Sequence, residues 1–372
     1  MAAPAPRIPP GLRVALVHDW LNGMRGGEKV LEQVCALFPD AHLHTLIYDD
    51  ARVSPAIRAM DVRPLRWRGE ALLRRRYREM LPLLPRLAGM LPTQGYDLVI
   101  ATSHCVAKAA PAPRRGLFAA YIFSPMRYVW DQFPAYLGRG FASDLALSLL
   151  RRPLQRWDRG SNDHIDTLAA DSAFIAAKIE RYWDRVPRVI HPSVDLDRFA
   201  PDGKPPADYF LVVSALVPYK RVDRAIRAAR IARQPLVVVG DGPDRERLEA
   251  LAGPDTHFTG WVDDAELAEF YRRARALLYP GVEDFGITAL ESLASCRPVL
   301  GLARGGLLET APAPQCGRHV PDPSARALAA LIGSHDDSEY DPARLRAQAE
   351  RFSHATFRGQ FAAWIAEEAR LL

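Results

Sequence analysis

Glu283-Asp284-Phe285-Gly286-Ile287-Thr288-Ala289-Leu290-Glu291 follows a short apolar run at residues 276–279 and leads into a helical pattern from about 287 to 295. A strand that turns through glycine into a helix opens a β/α unit. The first turn of such a helix has unpaired N–H groups and partial positive charge, which suits a diphosphate, and Gly286 lets that backbone come close to a ligand. Eight helical positions at about 100° each leave two side chains roughly 80° apart, so Glu283 belongs to the loop and Glu291 to the helix. Carboxylates in those two places can accept hydrogen bonds from hydroxyl groups. Spacing alone leaves a second reading open, in which the pair is a helix-cap acid and a surface acid.

The same alternation runs on both sides of this stretch. Strands are expected at 209–214, 236–239, 276–279 and 298–302, with helices at 222–233 and 245–251 between the first three. A polar, Pro-rich stretch at 201–208 has the composition of a linker. Before it, residues 13–18 read as a strand that runs into a glycine loop at 23–27 and a helix at 28–37. Further buried strands are expected at 97–101 and 118–122, and an amphipathic helix at 173–182. The chain therefore divides into a first domain over 1–198, a second over 199–351 and a helix over 352–372 that returns to the first. The fold class is α/β, with two Rossmann-like doubly wound domains facing across a cleft.

A length of 372 residues accommodates two cores, and 48% hydrophobic with 25% charged residues is the balance of a soluble globular chain. No stretch reaches the apolar length of a membrane span, and residues 1–10 lack the apolar centre of a signal peptide, so a cytoplasmic location is expected. Cys35, Cys105, Cys296 and Cys316 are far apart, without metal-ligand spacing, and read as buried free thiols. Asp195-Leu196-Asp197, at the domain junction, is the one string that tempts as a metal clamp. The net charge of +5 suits a phosphate-bearing ligand or an anionic membrane face. No basic run is joined to a stacking platform, which argues against nucleic acid.

Taken in order, the segments resemble the retaining glycosyltransferases of family four, which have the GT-B fold and carry the paired glutamates as a hallmark. The resemblance rests on Ser214-Ala215-Leu216-Val217-Pro218-Tyr219-Lys220-Arg221-Val222-Asp223, Val239-Gly240-Asp241-Gly242-Pro243, Phe258-Thr259-Gly260-Trp261-Val262, Cys296-Arg297-Pro298-Val299 and Gly305-Gly306-Leu307-Leu308-Glu309. In the first half, Ser103-His104, Ser124-Pro125-Met126-Arg127-Tyr128-Val129-Trp130-Asp131 and Asp171-Ser172-Ala173-Phe174 are similar to a bacterial branch of O-antigen and exopolysaccharide mannosyltransferases.

The resemblance implies a nucleotide-diphosphate sugar as donor, with GDP-mannose the first choice, and a saccharide or polyprenyl-linked acceptor. Lys220, with Arg221 nearby, would pair with the donor phosphates. Glu283 would hold the donor sugar and Glu291 the ribose. Phe285, Gly286 and Ile287 would present backbone N–H groups, Gly26 and Gly27 would close over the diphosphate, and the loop from Gly260 to Asp264 would flank the base. Asp19 and Asp131 would orient the acceptor, in a region shared with His104 and Arg127. Three positions depart from the pattern: Ala215 stands where an Arg is frequent, Phe123 where the branch has a His, and Cys296 where a Gly follows the helix. Either one phosphate-binding charge is missing at Ala215 or Arg221 or Arg127 supplies it, and Cys296 reads as packing. By the same resemblance Asp195-Leu196-Asp197 matches the family's linker, so neither metal nor cofactor is expected. An epimerase of the same fold and a non-catalytic nucleotide-sugar binder are the competing functions.

Arg66, Arg68, Arg74, Arg75, Arg76, Arg78 and Arg86 face only Glu70 and Glu79, with Leu73, Tyr77, Met80 and Leu84 at helical spacing beside them. A basic amphipathic helix of this kind suits the anionic cytosolic face of the inner membrane, or else packs on the core with a solvated basic side. Pro82 and Pro85 would bend or shorten it.

Overall fold

The computed structural model describes residues 11–77, 79–133 and 141–370. The chain separates into two units, one of Met1–His191 with Phe357–Leu372 and the other of Pro192–Thr356. The first division thus falls at 191/192 rather than 198/199. The segment at 201–208, read as a linker, lies inside the second unit, where Arg273 pairs with Asp202.

In the first unit, strands β1 (Val14–His18), β2 (His42–Thr45), β3 (Asp61–Pro64), β4 (Leu98–Ser103), β5 (Leu117–Ile122), β6 (Thr167–Ala170) and β7 (Arg188–Val189) form one sheet in the order β3-β2-β1-β4-β5-β6-β7. Every pairing is parallel. β4 and β5 are buried at all six positions, as continuous apolar strands are when both sheet faces are covered. The helix His354–Ala369 lays Phe357, Phe361, Trp364 and Ile365 into this core, and Trp364 Nε1 donates to Thr167 Oγ1 at 2.9 Å.

The second unit has six parallel strands: β8 (Phe210–Val213), β9 (Leu236–Val239), β10 (Thr256–Gly260), β11 (Leu277–Tyr279), β12 (Val299–Leu302) and β13 (Gly317–Val320). Their order is β10-β9-β8-β11-β12-β13. In each sheet the strand order reverses direction beside the first strand, between β1 and β4 and between β8 and β11. Loops leaving the carboxyl ends of those two strands diverge, and ligands of open α/β sheets bind in the crevice so formed.

Candidate active site

Lys220 and Glu283 stand at the switch point of the second sheet. Lys220 closes the single turn Pro218–Lys220 after β8, and Glu283 lies in the loop after β11. Lys220 Nζ donates to Glu283 Oε2, with the two side chains 18% and 24% exposed. Strands that are neighbours in the sheet thus bring together residues 63 positions apart.

Two glycines shape the loop that carries Glu283. Gly286 caps the helix Ile287–Ala294 with φ +97°, and a Cβ there would strike the Tyr279 hydroxyl. Gly306 donates its N–H to the Glu283 carbonyl at 2.9 Å, and a Cβ on it would strike the Phe285 carbonyl. The turn therefore requires a residue without a side chain at both places. Phe285, Gly286 and Ile287 lead directly into the helix, whose first N–H groups have no partner within the helix itself.

Glu291 is buried on that helix, and its Oε2 accepts from the Tyr271 hydroxyl at 2.8 Å. Burial, with the adjacent Glu291 carboxylate, pushes the Tyr271 phenol well above its ordinary pKa, so it remains a donor. Sequence reasoning missed Tyr271. Its signal was a tyrosine on the buried face of a helix, where packing asks only for an apolar ring and the hydroxyl needs a partner.

Gly260, at φ +76°, closes β10, and Trp261 beyond it is 81% exposed. Asp263 then caps the helix Asp264–Arg273, accepting from the N–H groups of Ala265 and Glu266.

Arg221, expected near the donor phosphates, is paired within its own turn. Its guanidinium forks onto both Asp223 oxygens at 2.9 and 3.0 Å, its backbone is left-handed, and its charge is already matched. Arg224 was not anticipated: its Nη1 reaches the Pro280 carbonyl at 3.3 Å and ties the helix after β8 to the loop after β11.

The first unit has its own cluster at the β1/β4 switch point. Asp19 is fully buried and accepts four backbone N–H groups, from His104, Cys105, Val106 and Ala107, at 2.6–3.1 Å. Its Oδ2 also lies 3.1 Å from His104 Nδ1. Asp19, expected to orient an acceptor, holds the loop after β4 and lies against the His104 ring. Burial lowers the pKa of His104, and the Asp19 carboxylate opposes that shift. Asp131, expected beside an acceptor, pairs with Lys178 at 2.7 Å. Arg127 is half-buried in the loop after β5.

Gly26 and Gly27 form the first turn of the helix Gly26–Leu37, which begins two residues before the expected start. Gly27 borders the Phe123 ring, 3.5 Å from where a Cβ would sit. Phe123 packs edge-on against Tyr121 and His18. The place where the resemblance leads one to expect a histidine is thus apolar. Next to it, burial takes the neutral His18 down to a pKa of about 4.

The basic segment at 66–86 is broken. Among the described residues of this segment helices cover Glu70–Arg76 and Leu84–Ala88; Arg74 pairs with Glu70 at 2.9 Å and Arg76 pairs with Glu79. Arg66, Arg68, Arg75 and Arg86 are exposed, as are Leu72 and Met90, while Arg78 lies outside the described residues. No described helix is long and apolar enough to cross a membrane.

Residues 194–352 match the family model for glycosyl transferases group 1. Over 182 residues the chain is 36% identical to a GDP-mannose-dependent alpha-mannosyltransferase of Mycobacterium tuberculosis, covering 45% of this chain and 47% of that protein. It is 31% identical over 219 residues to a D-inositol 3-phosphate glycosyltransferase of Streptomyces scabiei, with 50% and 49% covered. The chain spans about half the length of these relatives. Among solved structures, Anabaena Alr3699/HepE in complex with UDP superposes with a TM-score of 0.71 over 96% of this chain and 100% of that one, at 14% identity. WaaG, a glycosyltransferase involved in lipopolysaccharide biosynthesis, gives 0.63 over 95% and 99%, at 17% identity. At such identities the likeness speaks for the fold alone, two Rossmann-like domains in one chain. The matched stretch, 194–352, takes in Lys220, Glu283 and Glu291.

Proposed function

We propose that this protein is a retaining glycosyltransferase that moves a sugar, mannose from GDP-mannose, onto a saccharide or polyprenyl-linked acceptor. The observation that carries this reading is the convergence of Lys220, Glu283 and the helix start at 286–287 on one switch point, with Glu291 buried on the same helix. Breaking the anomeric carbon–oxygen bond builds positive charge on the sugar and negative charge on the departing diphosphate. Lys220 and the helix N–H groups are set to stabilise that anion, the larger part of catalysis in such reactions. Glu283 accepts hydrogen bonds from the sugar hydroxyls once phosphate has taken Lys220 from it, and Glu291 accepts them from the ribose. The mannose donor is supported by the relatives named for GDP-mannose.

In this reading the acceptor lies near His104 and Arg127. Asp131 and Asp19 act through Lys178 and His104 and do not touch substrate. The exposed Arg66, Arg68, Arg75 and Arg86 with Leu72 and Met90 favour an anionic membrane surface on the cytosolic side.

The test is product analysis with GDP-mannose and a polyprenyl-diphosphate-linked sugar. A lengthened acceptor with an α-anomeric linkage and released GDP supports the proposal. An altered sugar nucleotide would identify an epimerase, and an unchanged mixture with bound nucleotide a non-catalytic binder.

A further inference from the structure

Glu291 is placed by more than its own helix. Its Oε2 is held by the Tyr271 hydroxyl at 2.8 Å, and Tyr271 is wholly enclosed, with the Phe199 ring edge-on 5.4 Å away. A phenol pinned in this way sets the plane of the carboxylate it donates to. Tyr271 belongs to the helix Asp264–Arg273, whose start is locked by Asp263, three residues beyond Gly260. Seven residues along that helix, a rise of about 10 Å, separate the loop expected beside the base from the phenol that touches the ribose carboxylate.

We propose that Tyr271 is a positioning residue for nucleotide recognition: it aims the Glu291 carboxylate at the ribose hydroxyls and ties that aim, through one rigid helix, to the loop beside the base. This rests on the reading of Glu291 as the ribose acceptor. The phenol contributes by removing the rotational freedom that a carboxylate would otherwise lose on binding. Tyr271 touches no substrate, so its removal weakens recognition of the ribose hydroxyls and leaves phosphate recognition by Lys220 in place.

The experiment compares calorimetric affinities for GDP and 2′,3′-dideoxy-GDP, with UDP and 2′,3′-dideoxy-UDP alongside, in the wild type, Y271F, E291Q and the double variant. The wild type is expected to prefer the ribose form by about tenfold or more, the scale of one hydrogen bond to a charged acceptor. E291Q should erase most of that preference. Y271F should cut it several-fold while binding of the dideoxy form stays unchanged, and adding Y271F to E291Q should change the preference no further. Thermal unfolding of each variant is followed alongside. A merely structural tyrosine would shift unfolding and both affinities together, and that pattern would overturn the proposal. If E291Q loses the preference and Y271F keeps it, the proposal fails and the ribose reading stands. If E291Q keeps it, or the wild type has none, the ribose reading fails and takes the proposal with it.

Discussion

Lys220 and Glu283 bring opposite charges into one small volume, and each satisfies the other. A diphosphate approaching Lys220 must compete with that carboxylate. Glu283→Gln is therefore expected to bind GDP about two- to fivefold more tightly, the scale of a partly exposed ion pair, while sugar transfer falls because the hydroxyl acceptor is weakened. Calorimetry of GDP binding beside initial rates checks both directions, and weaker GDP binding would contradict the competition. At this scale the spacing placed Glu283 in a loop and Glu291 on a helix, as the structure has them, whereas Lys220 was singled out only by the family resemblance. Asp19 and Asp131 were less legible. Sequence places an acid in a motif but does not say whether it faces ligand or backbone, and the four N–H groups that occupy Asp19 come from residues 85–88 positions away.

At the scale of elements, the helix Ile287–Ala294 ends in a Schellman turn: Cys296 N–H donates to Leu293 O and Arg297 N–H to Ser292 O, both at 2.9 Å. Cys296, which stands where a Gly was expected after the helix, occupies the left-handed position of that turn at φ 59°. A side chain is disfavoured there, so Cys296→Gly should stabilise the protein by about 0.5–1 kcal/mol in denaturant unfolding, net of the extra freedom glycine adds to the unfolded chain. The helix Gly26–Leu37 offers a pH test. Burial raises Glu28 from 4.5 to about 7, partly opposed by Arg25. The folded state thus holds this proton more tightly than the unfolded state, and Glu28 costs stability as pH rises from 4.5 through 7. Glu28→Gln removes that cost, so its stability relative to the wild type should improve between pH 5 and pH 8, by up to roughly 3 kcal/mol. A difference that does not vary with pH would count against it. Strands β1, β4, β5, β8, β9, β11 and β12 were readable from apolar runs, whereas β2, β3, β6 and β13 were not anticipated, being only four residues long and, β6 apart, largely polar. The partition of residues 66–86 into two short helices was not, because a basic run with helical spacing does not announce where its ion pairs and prolines break it.

For the molecule as a whole, the two-domain α/β plan was legible because a parallel sheet covered on both faces prints its strands as unbroken apolar runs. The boundary was not, since the polar stretch at 201–208 looks like a linker yet is tied into the second unit through Asp202 and Arg273. The helix that ends the described chain contributes a large side chain to the first core, with Trp364 fully enclosed. Trp364→Ala should cost about 3–5 kcal/mol of stability, measurable as a lowered midpoint of thermal unfolding. In the proposed function, residues 194–352 hold a nucleotide-diphosphate sugar through Lys220. The most direct test is titration of GDP-mannose into the wild type and Lys220→Met by calorimetry, with UDP-glucose as the competing donor. Wild type is expected to bind GDP-mannose saturably, and Lys220→Met to weaken that binding at least tenfold, the worth of a charge-assisted phosphate contact. Equal binding by both proteins, or none by the wild type to either donor, would contradict the proposal.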